Sequence, residues 1–210
     1  MAGRVGLTTQ RLAEAAAELA DETGFDTVTA SALARRFGVS VASLYAHVKN
    51  LDELRVRVTA LALTEMADRG AEAIGGRAGK DALVALADAY RSYALEHPGR
   101  YAAAGARIGL DSPAAPPAVR NADLARAILR GYADISAAEQ THAVRMIGSA
   151  LHGFVGLEAS GAFAHSGDTG VSWRRMLDAL DVALANWPQE PKQVTSRSSS
   201  RGTRTSARRA

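Results

Sequence analysis

The 210-residue chain has no cysteine. That excludes a disulfide scaffold, a thiol nucleophile and any thiolate-held metal, and it agrees with a reducing compartment. Aromatic residues make up only 5%, and the aromatic and β-branched alternation that marks half-buried strands is almost absent. Long apolar runs are missing too: none approaches the roughly 18 residues that a membrane-spanning helix requires. The first residues lack the apolar core of a signal peptide. These absences lead us to expect a cytoplasmic protein with no membrane partner. Known catalytic signatures are also lacking, with no Gly-rich phosphate loop ending in Lys-Ser/Thr and no GxSxG elbow. The five histidines, His47, His97, His142, His152 and His165, show no i, i+3 or i+4 pairing, so no local metal site is assigned. Neither a catalytic residue nor a cofactor is expected.

Charge of one sign is scarce in the body of the chain. The net charge is +3 overall, but residues 188–210 hold Lys192, Arg197, Arg201, Arg204, Arg208 and Arg209 against Glu190 alone. Residues 1–187 therefore keep 19 basic and 21 acidic groups and are slightly acidic. A polyanion must be met by locally placed cations rather than by a global field. The Ser/Arg/Thr-rich end is too polar to bury and reads as a disordered tail. It either adds salt-sensitive DNA affinity or merely solubilises the chain.

What is present is helical periodicity. With 47% hydrophobic residues, apolar positions recur every three or four residues nearly throughout, which predicts an all-α protein. Thr8 or Thr9 caps a first helix ending at Gly24, and Thr29 caps a second over 30–37. Gly38 breaks the pattern before a third, Val39 to Val48, so helix, tight Gly-containing turn and helix form a helix-turn-helix. A long fourth helix is predicted over 51–74. Ala-rich helices follow over about 81–97, 100–110 and 117–132. "SAAE" at Ser136 to Glu139 forms a capping box that opens a helix to Ala159, and a last helix spans Ser172 to Trp187. The expected division is a helix-turn-helix domain over 1–52, a helical regulatory and dimerisation domain over 53–188, and the tail over 189–210.

The stretch "VSVASLYAHVKN", residues 39–50, carries the densest chemistry. Val41, Leu44 and Val48 share the inward face. Ser40, Ala42, Ser43, Ala46 and His47 face out, with Tyr45 at the border. Small residues near the helix start let the backbone approach the floor of a major groove about 12 Å wide. Ser40 and Ser43 can bond base edges there, and Val41 or Ala42 can touch a thymine methyl. Tyr45, His47 and Lys49, toward the other end, suit phosphate oxygens. The amides opening the fourth helix offer a further phosphate position, and Arg4 belongs to an arm ahead of the first helix.

The run "AAAELADETGFDTVTASALARRFGVSVASLYAHVKNLDELR" resembles the tetracycline-repressor (TetR) family of transcriptional regulators. It has that family's Gly-Phe joint, its Ala-Arg-Arg-Phe-Gly-Val-Ser turn and its Leu-Tyr-x-His-Val-Lys-Asn closure. The resemblance implies that the third helix reads the major groove and that Thr29, Ser40, Val41, Ala42, Ser43, Tyr45, His47 and Lys49 form the DNA-binding set. Leu51 stands where many members have a second lysine, which removes one phosphate contact. The stretch "ALHGFVGLEASGAF" is similar to a subgroup marked by a Trp-His-Gly motif, with His152 and Gly153 present and the Trp absent. His152 itself reads as a buried, hydrogen-bonded residue.

The family further implies a homodimer built on the last two helices and a pocket for a small-molecule effector. Leu157, Met176, Leu180, Leu184 and Trp187 are the candidate dimer residues. Tyr90, Tyr93, Tyr101, Ile108, Met146 and Phe154 are the pocket candidates, with Arg107 or His142 at its mouth. The function implied is a ligand-responsive repressor on a pseudo-palindromic operator in double-stranded DNA. A helical small-molecule-binding protein that does not use DNA is the rival class, and an all-α enzyme comes third.

Overall fold

The computed structural model describes residues 7–165 and 167–188. Among them are nine α-helices and no strand: α1 (Thr9–Thr23), α2 (Ala30–Phe37), α3 (Val41–Tyr45), α4 (Leu51–Ile74), α5 (Gly79–Glu96), α6 (Pro98–Ala104), α7 (Ala115–Leu129), α8 (Gln140–Ala159) and α9 (Thr169–Ala185). One 3-10 turn, Phe25–Thr27, links α1 to α2. None of these helices is long and apolar enough to cross a membrane. Arg4 and the basic tail lie outside the described residues.

Each head helix begins where a short polar side chain takes an orphan amide. Thr8 accepts from the Arg11 amide and Thr29 from that of Ala32, both at 3.2 Å. Ser40 accepts from the Ser43 amide at 3.2 Å, and Asn50 from that of Glu53 at 2.8 Å. Gly38 ends α2 in the left-handed region at φ 64°, where a Cβ would be penalised. Its amide reaches the Arg35 carbonyl and that of Val39 reaches Ala34, the paired bonds of a Schellman ending. Leu12, Leu33, Leu44, Val48, Leu54 and Val58 meet beneath these turns as the head's core.

The third helix is shorter than its pattern predicts, five residues instead of ten. The Ser40 cap holds residue 40 extended, which removes Val39 and Ser40 from the helix. At the other end the His47 amide closes a tight turn on the Leu44 carbonyl at 2.9 Å, and Asn50 turns extended to open α4.

The spine of the molecule is α4. Its 24 residues cover about 36 Å at 1.5 Å each, and it packs against α1, α5, α6 and α7. It crosses the boundary expected at residue 52 without a break, and Leu54 and Val58 still belong to the head's core. The body's core lies farther along, where Leu83, Leu86, Ile128, Ile147, Trp173 and Leu177 come together.

Other boundaries moved for local reasons. α6 starts at Pro98, which fits a first-turn position because its missing amide would be unbonded there, and it ends before Gly105. α7 likewise starts ahead of Pro116 and Pro117. The capping box at Ser136 does not form: the amides of Glu139 and Gln140 bond the Ser136 carbonyl, and no side chain caps α8. Glu139 instead accepts from the Trp187 indole at 3.1 Å. α9 opens three residues earlier than expected because Asp168 takes the Gly170 amide at 2.7 Å, and it ends before Trp187.

Head and body are joined where α6 meets the end of α1. A Cβ on Gly99 would lie 2.0 Å from the Ala20 carbonyl oxygen, so only glycine permits the approach. Asp21, one residue on, accepts from the Arg100 amide at 2.8 Å and pairs with the Arg100 guanidinium at 3.1 Å and His97 at 3.2 Å. Glu65 of α4 faces Arg100 at 3.3 Å and accepts from the Tyr93 hydroxyl at 2.7 Å. Burial above all, and then that carboxylate, raise the Tyr93 hydroxyl far above its ordinary value, so it stays a donor. Beside this network the buried Thr59 hydroxyl donates to the Ala103 carbonyl at 3.1 Å.

Gly99→Ala is expected to lower unfolding stability by about 1–3 kcal/mol, since backbone must move on both sides. Gly109→Ala, whose Cβ meets nothing, should leave it nearly unchanged. Chemical denaturation of the two variants checks this.

Candidate nucleic-acid interface

The reading head presents its third helix as the sequence predicts, on a shorter frame. Leu44 and Val48 are buried, Val41 is half-buried, and Ser40, Ala42, Ser43, Tyr45, Ala46, His47 and Lys49 are exposed. Tyr45 is 46% exposed, which puts its ring outside the core instead of at its border. The Ser40 and Ser43 hydroxyls lie 2.8 Å apart, and a base edge or phosphate approaching either must share this pair. Thr29 is exposed, but its oxygen already serves α2. Arg36 is unavailable to phosphate because it pairs with Glu18 at 2.7 Å and Glu22 at 2.8 Å.

The segment after α3 is held by a residue that the sequence reading passed over. The Thr9 hydroxyl donates to the His47 carbonyl at 2.8 Å, fixing the turn that carries Tyr45, His47 and Lys49 to the start of α1. Sequence alone offered only a Thr8-Thr9 pair; the partner lies 38 positions away. At the opening of α4 the expected phosphate position is partly filled by the chain itself. Glu53 accepts from the Lys49 amide at 2.7 Å, and that bond, followed by the one from Arg57, lowers its pKa. A carboxylate there opposes an incoming phosphate.

In the body, four of the six pocket candidates, Tyr90, Tyr101, Met146 and Phe154, pack on one core, while Tyr93 and Ile108 lie apart from them. Tyr93 belongs to the joint with the head. The Tyr90 hydroxyl donates to Asn121 at 2.5 Å. Phe154 stacks on Phe163 and Trp173 with centroids 5.0 and 5.1 Å away, and Met146 packs on the same core. Ile108 lines a separate cleft of about 220 Å³ with Phe25, Arg55 and Arg107. A larger cleft, about 570 Å³, opens between α5 and α9 around Asp88, Arg91 and Trp173.

His152, expected inside the core, is exposed on α8, because Leu151 and Val155 take the inward positions. The expected hydrogen bond is present: its Nδ1 lies 2.6 Å from the Tyr101 hydroxyl. Desolvation against that ring lowers the pKa of His152. His142 is exposed near the start of α8.

The dimer candidates separate into two groups. Leu180 and Leu184 are buried in the chain's own core at 7% and 0% exposure, so they present no surface to a second copy. Met176 and Trp187 are half-buried against the same core, while Leu157 is 50% exposed.

A capped three-helix head with a short exposed helix, carried on a helical body, is a helix-turn-helix DNA-binding architecture. Comparison with known proteins agrees. Residues 12–58 match the model of bacterial regulatory proteins of the tetR family, and residues 83–180 match the tetracycline-repressor-like C-terminal domain. The chain is 35% identical over 170 residues to the HTH-type transcriptional regulator YobS of Bacillus subtilis, covering 80% of this chain and 87% of that one. It is 37% identical over 157 residues to the HTH-type regulator Rv0681 of Mycobacterium tuberculosis, covering 74% and 72%. The chain therefore belongs to the TetR family and is a DNA-binding transcriptional regulator. The match does not single out the Trp-His-Gly subgroup. Among solved structures, a protein from Rhodococcus sp. RHA1 shares the fold with a TM-score of 0.73 at 21% identity, covering 88% of this chain and all of that one. A TetR variant of Acinetobacter baumannii AYE, in complex with minocycline, does so at 0.65 and 23%, with the same coverage.

Lys49→Ala should weaken binding to every DNA sequence alike and reduce the slope of log affinity against log salt by about 0.9, the share of one phosphate. Ser43→Ala should change sequence preference and leave that slope in place. Titrations of operator and random duplex across salt concentrations separate the two.

Proposed function

We propose that the protein is a homodimeric repressor that places two α3 helices in successive major grooves of a pseudo-palindromic operator and is released by a small-molecule effector. It acts by binding and not by catalysis. The observation that carries this reading is the exposed run Ser40, Ala42, Ser43, Tyr45, His47, Lys49 on α3 and the residues flanking it, anchored by Leu44 and Val48. Small groups near its start admit the duplex, and polar groups at its end meet phosphate. Fixed half-site spacing requires two heads at a set distance, which a symmetric dimer supplies. An effector that prefers a different head separation lowers operator affinity, and the operator lowers effector affinity by the same factor. A cytoplasmic location follows from action on DNA.

The dimer face supported by burial keeps Leu157 from the sequence reading and leaves out Leu180 and Leu184, which are buried in the chain's own core. On α8 it comprises Gly153, Gly156 and Leu157, and on α9 Ala179 and Val182, all exposed. Leu157 and Val182 are 50% and 61% open. A Cβ on either glycine would meet nothing within 4 Å, so the flat stretch admits a second helix closely. Apolar groups at this density are stabilised by a partner surface.

Selection of sites from random duplex DNA is expected to enrich a palindrome with the native protein and to lose it with Tyr45→Phe combined with His47→Ala. No enrichment at any salt would favour the rival reading, a helical binding protein without DNA. Val182→Glu should shift the protein from dimer to monomer in sedimentation and weaken operator binding at least about tenfold, while leaving its helical content unchanged.

A further inference from the structure

We infer that the junction between head and body is a binding site for an amphipathic monoanion, a carboxylate on a short aliphatic or aromatic body. The cleft of about 220 Å³ that holds Ile108 adjoins a second of about 390 Å³, and both are lined by Val56, Arg107 and Ser112. One wall is the head, through Phe25 and Arg55. The other is the segment after α6, through Arg107 and Ile108.

Two arginines line this cleft without a short ion pair. Arg57 is fully engaged by Glu53 at 2.7 Å. Arg55 has only a 3.7 Å approach to Asp52 and a 3.4 Å contact to the Asp26 carbonyl, and its Nε is buried with no acceptor. Arg107 is exposed and forms no ion pair or hydrogen bond among the described residues. The Arg55 Nε is closed off, so the open face of the site is the Arg107 guanidinium, whose fork a planar carboxylate matches; the acids that also line the two clefts, Asp52 and Glu53, are taken up by Arg55 and Arg57. Phe25, Val56 and Ile108 supply the apolar surface for the rest of the molecule. The two clefts together have room for a small organic ligand.

In the larger cleft between α5 and α9 the less exposed polar groups are already paired, and Arg174 is its one exposed cation without an ion pair among the described residues. Arg91 binds Glu158 at 2.5 and 2.8 Å, the Trp173 indole donates to Asp88 at 2.7 Å, and Lys80 reaches Asp178 at 2.8 Å.

The site stands on its own geometry; that its occupant is the effector rests on the repressor reading. The test is calorimetric titration of the full chain without DNA, using octanoate and octanamide as probes. Octanoate should saturate at one per chain and bind about tenfold or more weakly to Arg107→Ala and to Arg55→Gln, the loss of a charge-assisted bond. Octanamide should bind weaker than octanoate by a similar factor. Arg174→Ala, in the α5–α9 cleft, should bind octanoate as the native protein does. Arg107 is exposed, so its variant keeps the fold, which thermal unfolding verifies. Octanoate that fails to saturate overturns the inference. So does equal binding by octanamide, by Arg107→Ala, or a loss on Arg174→Ala. Because no DNA is present, failure here leaves the reading head untouched, and failure of operator selection leaves this site untouched.

Discussion

The contact on which the rest depends is the one between the last turn of α1 and the first turn of α6. Asp21 accepts from the Arg100 amide and His97 and pairs in charge with the Arg100 guanidinium, while Gly99 lets the two backbones touch. Arg100 is mostly enclosed, so its charge is stabilised only while Asp21 and Glu65 remain in place. The same two acids are held by Tyr93 of α5, by His97 between α5 and α6, and by Arg100 of α6. Head and body therefore share a polar joint, and neither can be displaced without leaving a charge badly paired.

The sequence was informative wherever the determining interaction was local. Thr8, Thr29 and Gly38 each act on amides or carbonyls within five positions, and the structure shows all three in those roles. Reading failed where a local option lost to a distant partner. Glu139 had a capping position available three residues away but bonds Trp187, 48 positions on. The third helix had ten suitable residues and kept five, because the caps at Ser40 and Asn50 claimed its ends.

The binding surfaces were legible only in part, for the same reason. The outward face of α3 follows from a 3.6-residue period once Leu44 and Val48 are set inward, so residues 40–49 were placed from pattern alone. A periodic stripe on α8 or α9, by contrast, shows that apolar area is buried without showing against what. Leu180 and Leu184 meet the chain's own core, whereas Leu157 and Val182 do not. Of the aromatics offered as pocket walls, Tyr90, Tyr93 and Tyr101 hold hydrogen bonds to Asn121, Glu65 and His152, and Phe154 packs on the body's core. The arginines of the junction cleft were inconspicuous because Arg55, three residues from Asp52, looks like an ordinary surface pair until its long contacts are measured.

The unbroken length of α4 gives the molecule a mechanical advantage. A stiff rod about 36 Å long that tilts by about 5° around its far end carries its first turn sideways by about 3 Å. That is close to the stacking rise of one base pair, about 3.4 Å. On the proposed reading, an angular change of that size would shift a recognition helix by one step of the duplex, working against the Asp21–Arg100 joint between head and body.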